Sequence, residues 1–127
     1  MTGGEPGPRV GDLGLSPPVW LDDDATIRDA AQAMDTHAVS AVIVGPHGAI
    51  VTERDVVRAV AAGQSTSMRA APIASPATIT APADANPLDA LREMLIHGVR
   101  HLVIVDANGR PCAVLPLAGA AAASLER

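Results

Sequence analysis

An internal repeat constrains this chain more than any other feature. Residues Thr26 to Val39 (TIRDAAQAMDTHAV) match Asn86 to Val99 (NPLDALREMLIHGV) at a constant offset of 60, with Asp, Ala, Met, His and Val coinciding. Each match is followed by an apolar run, Ala41-Val42-Ile43-Val44 in the first half and Leu102-Val103-Ile104-Val105 in the second. A turn comes next, at Gly48 or at Asn108-Gly109, and then a second short apolar run. The pattern predicts a helix followed by a hairpin, twice. On this alignment the offset grows from 60 to 61 near Ser40 and to 64 past the hairpin.

Local signals place each element. Ile27, Ala30, Ala31 and Met34 fall at helical spacing in the first half, and Leu88, Leu91, Met94 and Leu95 do much the same in the second. Thr26 with Asp29 forms a capping box, while Asn86 followed by Pro87 uses the other common helix start. The Val/Ile runs of about four residues are too short for buried helices and predict strands. A second helix is expected from Glu53 to Ala62, with Val56, Val57, Val60 and Ala61 on one side and Gly63 as its stop. The alanine-rich stretch Leu117 to Leu125 is its counterpart, and a short strand is expected around Thr78-Ile79. The fold class is therefore α+β, with a flexible start at residues 1–9, one repeat over 10–64, a linker at 65–71 and the other repeat over 72–127. A half of about 60 residues is marginal as an independent fold, so the two are expected to share a buried face. Such packing gives pseudo-twofold symmetry and paired clefts.

Composition excludes several function classes. The chain has 127 residues, one Trp, no Phe and no Tyr, so its core must be built from aliphatic and Met side chains. Stacking platforms for RNA or single-stranded DNA need exposed rings and are not expected. A net charge of -5 gives no general attraction for nucleic acid or for an anionic membrane. All basic residues are Arg, so Schiff-base lysine chemistry is absent and any phosphate contact falls to Arg or His. The lone Cys112 excludes an internal disulfide and fits a reducing, cytoplasmic setting. Neither a membrane-spanning run nor a signal-peptide pattern is read in the sequence.

The stretch Ala49-Ile50-Val51-Thr52-Glu53-Arg54-Asp55-Val56-Val57 resembles the signature of CBS domains, with Ala49 where Gly is usual. His97-Gly98-Val99-Arg100-His101-Leu102-Val103-Ile104-Val105-Asp106 resembles the central strand of the same family. The resemblance runs from Val10 to Ser124 and is to a tandem CBS pair, or Bateman module. It implies two repeats, each a three-stranded mixed sheet with two helices, and a regulatory module that senses an adenosine nucleotide (AMP, ADP, ATP or an S-adenosyl compound). In that reading Asp55 accepts hydrogen bonds from ribose hydroxyls, Thr52 contacts ribose or phosphate, Arg100 and His101 hold the phosphate, and Trp20 borders the base. The chemistry suits the roles, because a carboxylate is a pure acceptor and Arg offers a fork of donors to phosphate oxygens. The resemblance also implies a homodimer paired through helices, with Val56, Val57, Val60 and the C-terminal helix as candidate contacts, and an unidentified protein partner that reads the signal.

The halves differ where this matters. At the offset of 64, Thr52 aligns with Pro116 and Asp55 with Gly119, whereas Ser40 and Ala41 stand where the second half has Arg100 and His101. Both losses fall on one cleft, so a single nucleotide site is expected. The plainer readings stay open beside it. Thr52-x-x-Asp55 is also an ordinary capping box. Arg100 and His101 fit a solvated strand edge, and a structural dimerisation module with vestigial clefts is the alternative function. His37 and His97 are expected to pair with carbonyls at helix ends. Asp22-Asp23-Asp24 is expected as a solvated turn. A metal site drawn from His47, His97, His101 and Cys112 is not expected, nor is a bound cofactor. No nucleophile or catalytic motif is present, so the chain reads as a binder, not an enzyme.

Overall fold

Short Val/Ile runs bounded by turns become strands here, and the helices between them set whether neighbouring strands run parallel or antiparallel. In the computed structural model, which describes residues 7–15, 17–46, 48–75 and 79–125, the repeat appears as two sheets of one topology. The first sheet contains β1 (Trp20–Leu21), β2 (Ala41–Val44) and β3 (Ala49–Thr52), with β1 parallel to β2 and β2 antiparallel to β3. The second contains β4 (Thr80–Pro82), β5 (His101–Val105) and β6 (Pro111–Pro116) with the same order and directions. A parallel neighbour needs a crossover, which α1 (Ile27–His37) supplies in one sheet and α3 (Pro87–His97) in the other. Each hairpin then runs directly into a helix, α2 (Glu53–Ala61) or α4 (Leu117–Ser124). The strand expected around Thr78-Ile79 is β4, starting at Thr80, where pairing with Val103 begins; Thr78 lies outside the described residues.

Strand register corrects the sequence alignment. Trp20 lies opposite Ile43 and Thr80 opposite Val103, while Ala41 lies opposite Thr52 and His101 opposite Pro116. The offset therefore stays at 60 through β2 and β5, and the step to 61 near Ser40 does not occur. Ala49 and Ala113 face Val44 and Ile104, so the whole change to 64 falls in the hairpin, next to a register irregularity between Ile104 and Val105. Two Val/Ile runs match about equally well in either frame. The structure distinguishes them because a one-residue slip would turn every side chain to the opposite face. Equivalent backbone bonds hold this frame: Glu53 donates to the Ser40 carbonyl at 3.0 Å and Leu117 to the Arg100 carbonyl at 2.7 Å.

Two compact units form, and they are not the consecutive halves of the chain. One is Pro18–Thr78; the other joins the described residues up to Pro17 to those from Ile79 onward. The first is built on Ile27, Ala30, Met34, Val42, Val44 and Val51 with Ala70. The second is built on Met94, Leu102, Ile104 and Leu115 with Val10. Val10 and Ala70 are themselves 60 residues apart and both fully buried. Val10 donates to the Ala85 carbonyl at 3.0 Å, and Ala70 to the Ala25 carbonyl at 2.8 Å. Each repeat thus lends its leading segment to the unit that holds the rest of the other repeat. Burying a side chain such as Val10 contributes about 1.5–3 kcal/mol.

Helix faces follow the expected spacing in α1, where Ile27, Ala30 and Met34 are buried, and only in part in α2 and α3, where Val56, Leu91 and Met94 meet the cores. In α3 the buried residues are Pro87, Ala90 and Met94, and Leu88 and Leu95 are exposed. In α2 only Ala59 is buried, Val56 packs beside the core, and Val57 and Val60 face solvent. An apolar stripe wider than the contact with the sheet leaves its outer members uncovered.

Candidate functional site

Thr52 and Asp55 meet at the start of α2. Thr52 ends β3 in extended conformation and caps α2, its side chain accepting from the Asp55 N–H at 3.2 Å. Asp55 Oδ2 in turn accepts from the Thr52 N–H at 2.9 Å and from the Thr52 hydroxyl at 3.0 Å. This is the reciprocal box that the sequence predicts. It holds the carboxylate by one oxygen. Among the described residues Asp55 Oδ1 accepts no hydrogen bond and is left to meet a donor. Both residues are half-buried.

The same box stands at α1, with Thr26 and Asp29 exchanging bonds of 2.9 and 3.0 Å. The backbone bonds of the box therefore do not distinguish Asp55, which differs locally only in the added bond from the Thr52 hydroxyl. Its surroundings do, because Asp29 is exposed and Asp55 is not. In addition Ile27 and Arg28, the first two residues of α1, donate to the carbonyls of Met68 and Thr66 at 2.8 and 2.9 Å, which closes that helix end.

Cross-strand neighbours point to the same face of a sheet, and residues two apart along a strand do too. Trp20, Ile43, Ile50, Ala41 and Thr52 consequently share one face of their sheet, opposite the core face of Val42, Val44 and Val51. In the other sheet the same logic groups Thr80, Val103, His101 and Pro116 opposite Leu102, Ile104 and Leu115. Trp20, Thr52 and Asp55 thus lie in one unit, with Trp20 and Thr52 on one sheet face. Arg100 and His101 lie in the other unit, and His101 is on the corresponding face. Trp20 is 47% exposed. His101 is half-buried at the start of β5, whereas Arg100 precedes the strand and is exposed. That grouping was not drawn from the sequence, although the period-two alternation of the Val/Ile runs carries it.

At the counterpart of this corner the groups are missing. Pro116 caps α4 with no side-chain hydrogen bond. Gly119 stands where Asp55 would be, and a Cβ there would meet the Pro116 ring at 3.4 Å. The second unit offers neither a hydroxyl nor a carboxylate at this place.

Other candidates resolve differently. The acidic turn is exposed and structural: Asp23 pairs with Arg69 at 2.9 Å, and Ala25 donates to the Asp22 carbonyl at 3.0 Å. An open concavity of about 450 Å³ lined by Leu21, Asp22, Asp24, Ala25, Asp29 and Gln32 lies beside it. Three carboxylates make this lining unsuited to a phosphate. His97 faces Glu93 at 3.9 Å, one helical turn back. His47 lies outside the described residues, and no group of three or more metal-binding side chains occurs among those described. No described helix is long and apolar enough to cross a membrane.

Comparison with known proteins gives a consistent picture. The CBS domain family profile matches twice, over residues 10–62 and 70–121. Among solved structures, the CBS domain protein from Pyrobaculum aerophilum complexed with AMP is similar at 33% identity, covering 87% of this chain and 88% of that one with a TM-score of 0.79. A CBS-domain containing protein from Agrobacterium tumefaciens shares the fold at 24% identity and TM-score 0.79, covering 92% of this chain and 99% of that one. The CBS domain pair solved with 5'-methylthioadenosine and S-adenosyl-L-methionine does so at 22% identity and TM-score 0.78, covering 92% of this chain and 95% of that one. No curated protein matches the chain.

Proposed function

This chain belongs to the CBS-domain family as a tandem pair, and on that premise we propose that it is a regulatory module binding one adenosine nucleotide or S-adenosyl compound through Asp55. The observation that carries the reading is the half-buried Thr52–Asp55 box, which presents one unused carboxylate oxygen and has no counterpart at Pro116 and Gly119. The relative from P. aerophilum, solved with AMP, supports an adenosine ligand. In this reading Asp55 accepts from the ribose hydroxyls and Thr52 supports it. Arg100 and His101 hold the phosphate, and Trp20 flanks the base. The ligand's preference for one conformation of the module is what passes a signal to a partner protein. The module works in the cytoplasm by binding and carries no reaction of its own.

A structural module with vestigial clefts is the competing reading, favoured by the missing groups at Pro116 and Gly119. Thermal unfolding separates the two. A panel of AMP, ADP, ATP and S-adenosylmethionine is expected to contain at least one compound that raises the melting temperature. At one hundred times its dissociation constant the gain is about 2.7 kcal/mol. Asp55→Ala is expected to abolish the shift and Asp22→Ala to retain it. No shift with any of the four compounds overturns the sensor reading, and a shift that survives Asp55→Ala overturns the site.

A further inference from the structure

The two units treat one equivalent sheet edge differently. At the edge of the first sheet Ile50 of β3 exchanges two backbone bonds with Ser75, donating to its carbonyl at 2.8 Å and accepting from its N–H at 2.9 Å. Val114 holds the same place in β6, lying opposite Val103 as Ile50 lies opposite Ile43. Antiparallel pairs alternate between bonded and non-bonded, so the N–H and C=O of Val114 point away from β5 as those of Ile50 point away from β2. Among the described residues no backbone segment bridges to them.

The repeat identifies the residue that would do so. Leu15 stands 60 before Ser75, as Val10 stands 60 before Ala70. Leu13 and Leu15 pack against the core that Ala113 and Leu115 of β6 help to build, so this segment and this strand belong to one unit. A single position separates the two cases. Ala74 is extended, at φ -75° and ψ 146°, and delivers Ser75 to β3. Its counterpart Gly14 has φ +68° and turns the chain elsewhere. A Cβ on Gly14 would meet no atom within 4 Å, so space does not call for glycine there and only the backbone conformation does. Glycine also passes to the extended region without the steric penalty that separates the two regions for other residues.

We propose that Gly14 is the hinge of a latch, with a second state in which Gly14 is extended and Leu15 bridges Val114 as Ser75 bridges Ile50. The edge suits a bridge of one residue and not an added strand from a partner. Pro111 and Pro116 supply no N–H on either side of Val114, and the ladder is irregular beside Pro111. Closing the latch ties the segment that follows Val10 to the strand that runs directly into α4. Any molecule that binds this unit more tightly in one state than in the other shifts the latch toward that state. This inference goes beyond the ligand reading and does not depend on it.

The test uses the full chain without nucleotide. With Cys112→Ser, Leu15→Cys and Val114→Cys in one chain, an intramolecular disulfide is expected to form on mild oxidation. Gly14→Ala is expected to speed its formation roughly tenfold, because an L side chain disfavours the left-handed state by about that factor. Asn tolerates that state better, so Gly14→Asn is expected to change the rate far less. Amide hydrogen exchange gives a second readout in the chain without added cysteines, where Gly14→Ala is expected to slow Val114 and leave Ile50 as it is. Ala74→Gly makes the opposite change in the other repeat and is expected to speed exchange at Ile50 severalfold, which keeps the test intact should Gly14→Ala fail to fold. Equal cross-linking rates with Ala and Asn at position 14, unchanged exchange at Val114 in Gly14→Ala, or unchanged exchange at Ile50 in Ala74→Gly would each overturn the proposal.

Discussion

Asp29 and Asp55 share the two reciprocal backbone bonds of a capping box, Asp55 accepts a further one from the Thr52 hydroxyl, and the two differ in what surrounds them. Both sit in a Thr-x-Arg-Asp sequence, and both accept from the backbone of their capping threonine. Replacing either with Ala removes a charge-assisted cap bond, so each variant is expected to lose about 0.5–2 kcal/mol of stability in a denaturant titration. Only Asp55→Ala is expected to lose the ligand-induced shift as well, which separates capping from binding. The motif was legible in the sequence, but the difference was not, because it lies in burial set by tertiary packing. Another residue pair is similarly matched. Ala38 ends α1 at φ +53° and Gly98 ends α3 at φ +66°, both in the left-handed region. An L side chain there costs about 1–2 kcal/mol, partly offset by the greater freedom of glycine in the unfolded chain. Ala38→Gly is therefore expected to raise the melting temperature by a few degrees, and Gly98→Ala to lower it by a similar amount.

The starts of α2 and α4 show how equivalent elements diverge. Both helices begin directly after a hairpin, and the first residue of each donates to the carbonyl that precedes the central strand. One has a reciprocal cap and the other has proline with no cap at all. Pro116 adopts φ -75° and ψ 152°, a conformation open to threonine. The double change Pro116→Thr with Gly119→Asp is expected to install the missing box and stabilise the protein by about 1 kcal/mol, gaining from both the cap and the removal of a helical glycine. Calorimetry is nevertheless expected to give one nucleotide per chain, because Ser40 and Ala41 stand where the proposed phosphate contacts of the other repeat, Arg100 and His101, would be needed. Two equivalent sites would show that the basic pair is dispensable. Periodicity and capping residues made the helix starts readable in the sequence. The hairpin shift was harder, since only hydrogen-bond register shows that all four extra residues lie between Ile104 and Ala113. The outer faces of α2 and α3 misled for a related reason: spacing identifies a stripe, but the width of the sheet beneath it decides how much is covered.

For the whole molecule, the exchange of leading segments ties the stability of each repeat to a residue in the other. Val10→Ala is expected to cost about 2 kcal/mol as lost burial and cavity. The loss belongs to the unit containing α3 and β5. Hydrogen exchange is accordingly expected to show amides of Met94 and Leu102 less protected, with those of Met34 and Val42 changed less. The reverse pattern would mean that Val10 supports the repeat to which it belongs in sequence. The repeat itself was plain from the sequence, but this crossing was not, because the segments around Val10 and Ala70 share too little pattern to reveal their partners. A chain assembled in this way has an unusual breaking point. Cut after Gly63, it yields two fragments, neither holding a whole unit and each carrying the piece the other lacks. They are expected to be largely unfolded apart and to assemble when mixed, which makes the break a natural place to divide the protein into a complementing pair.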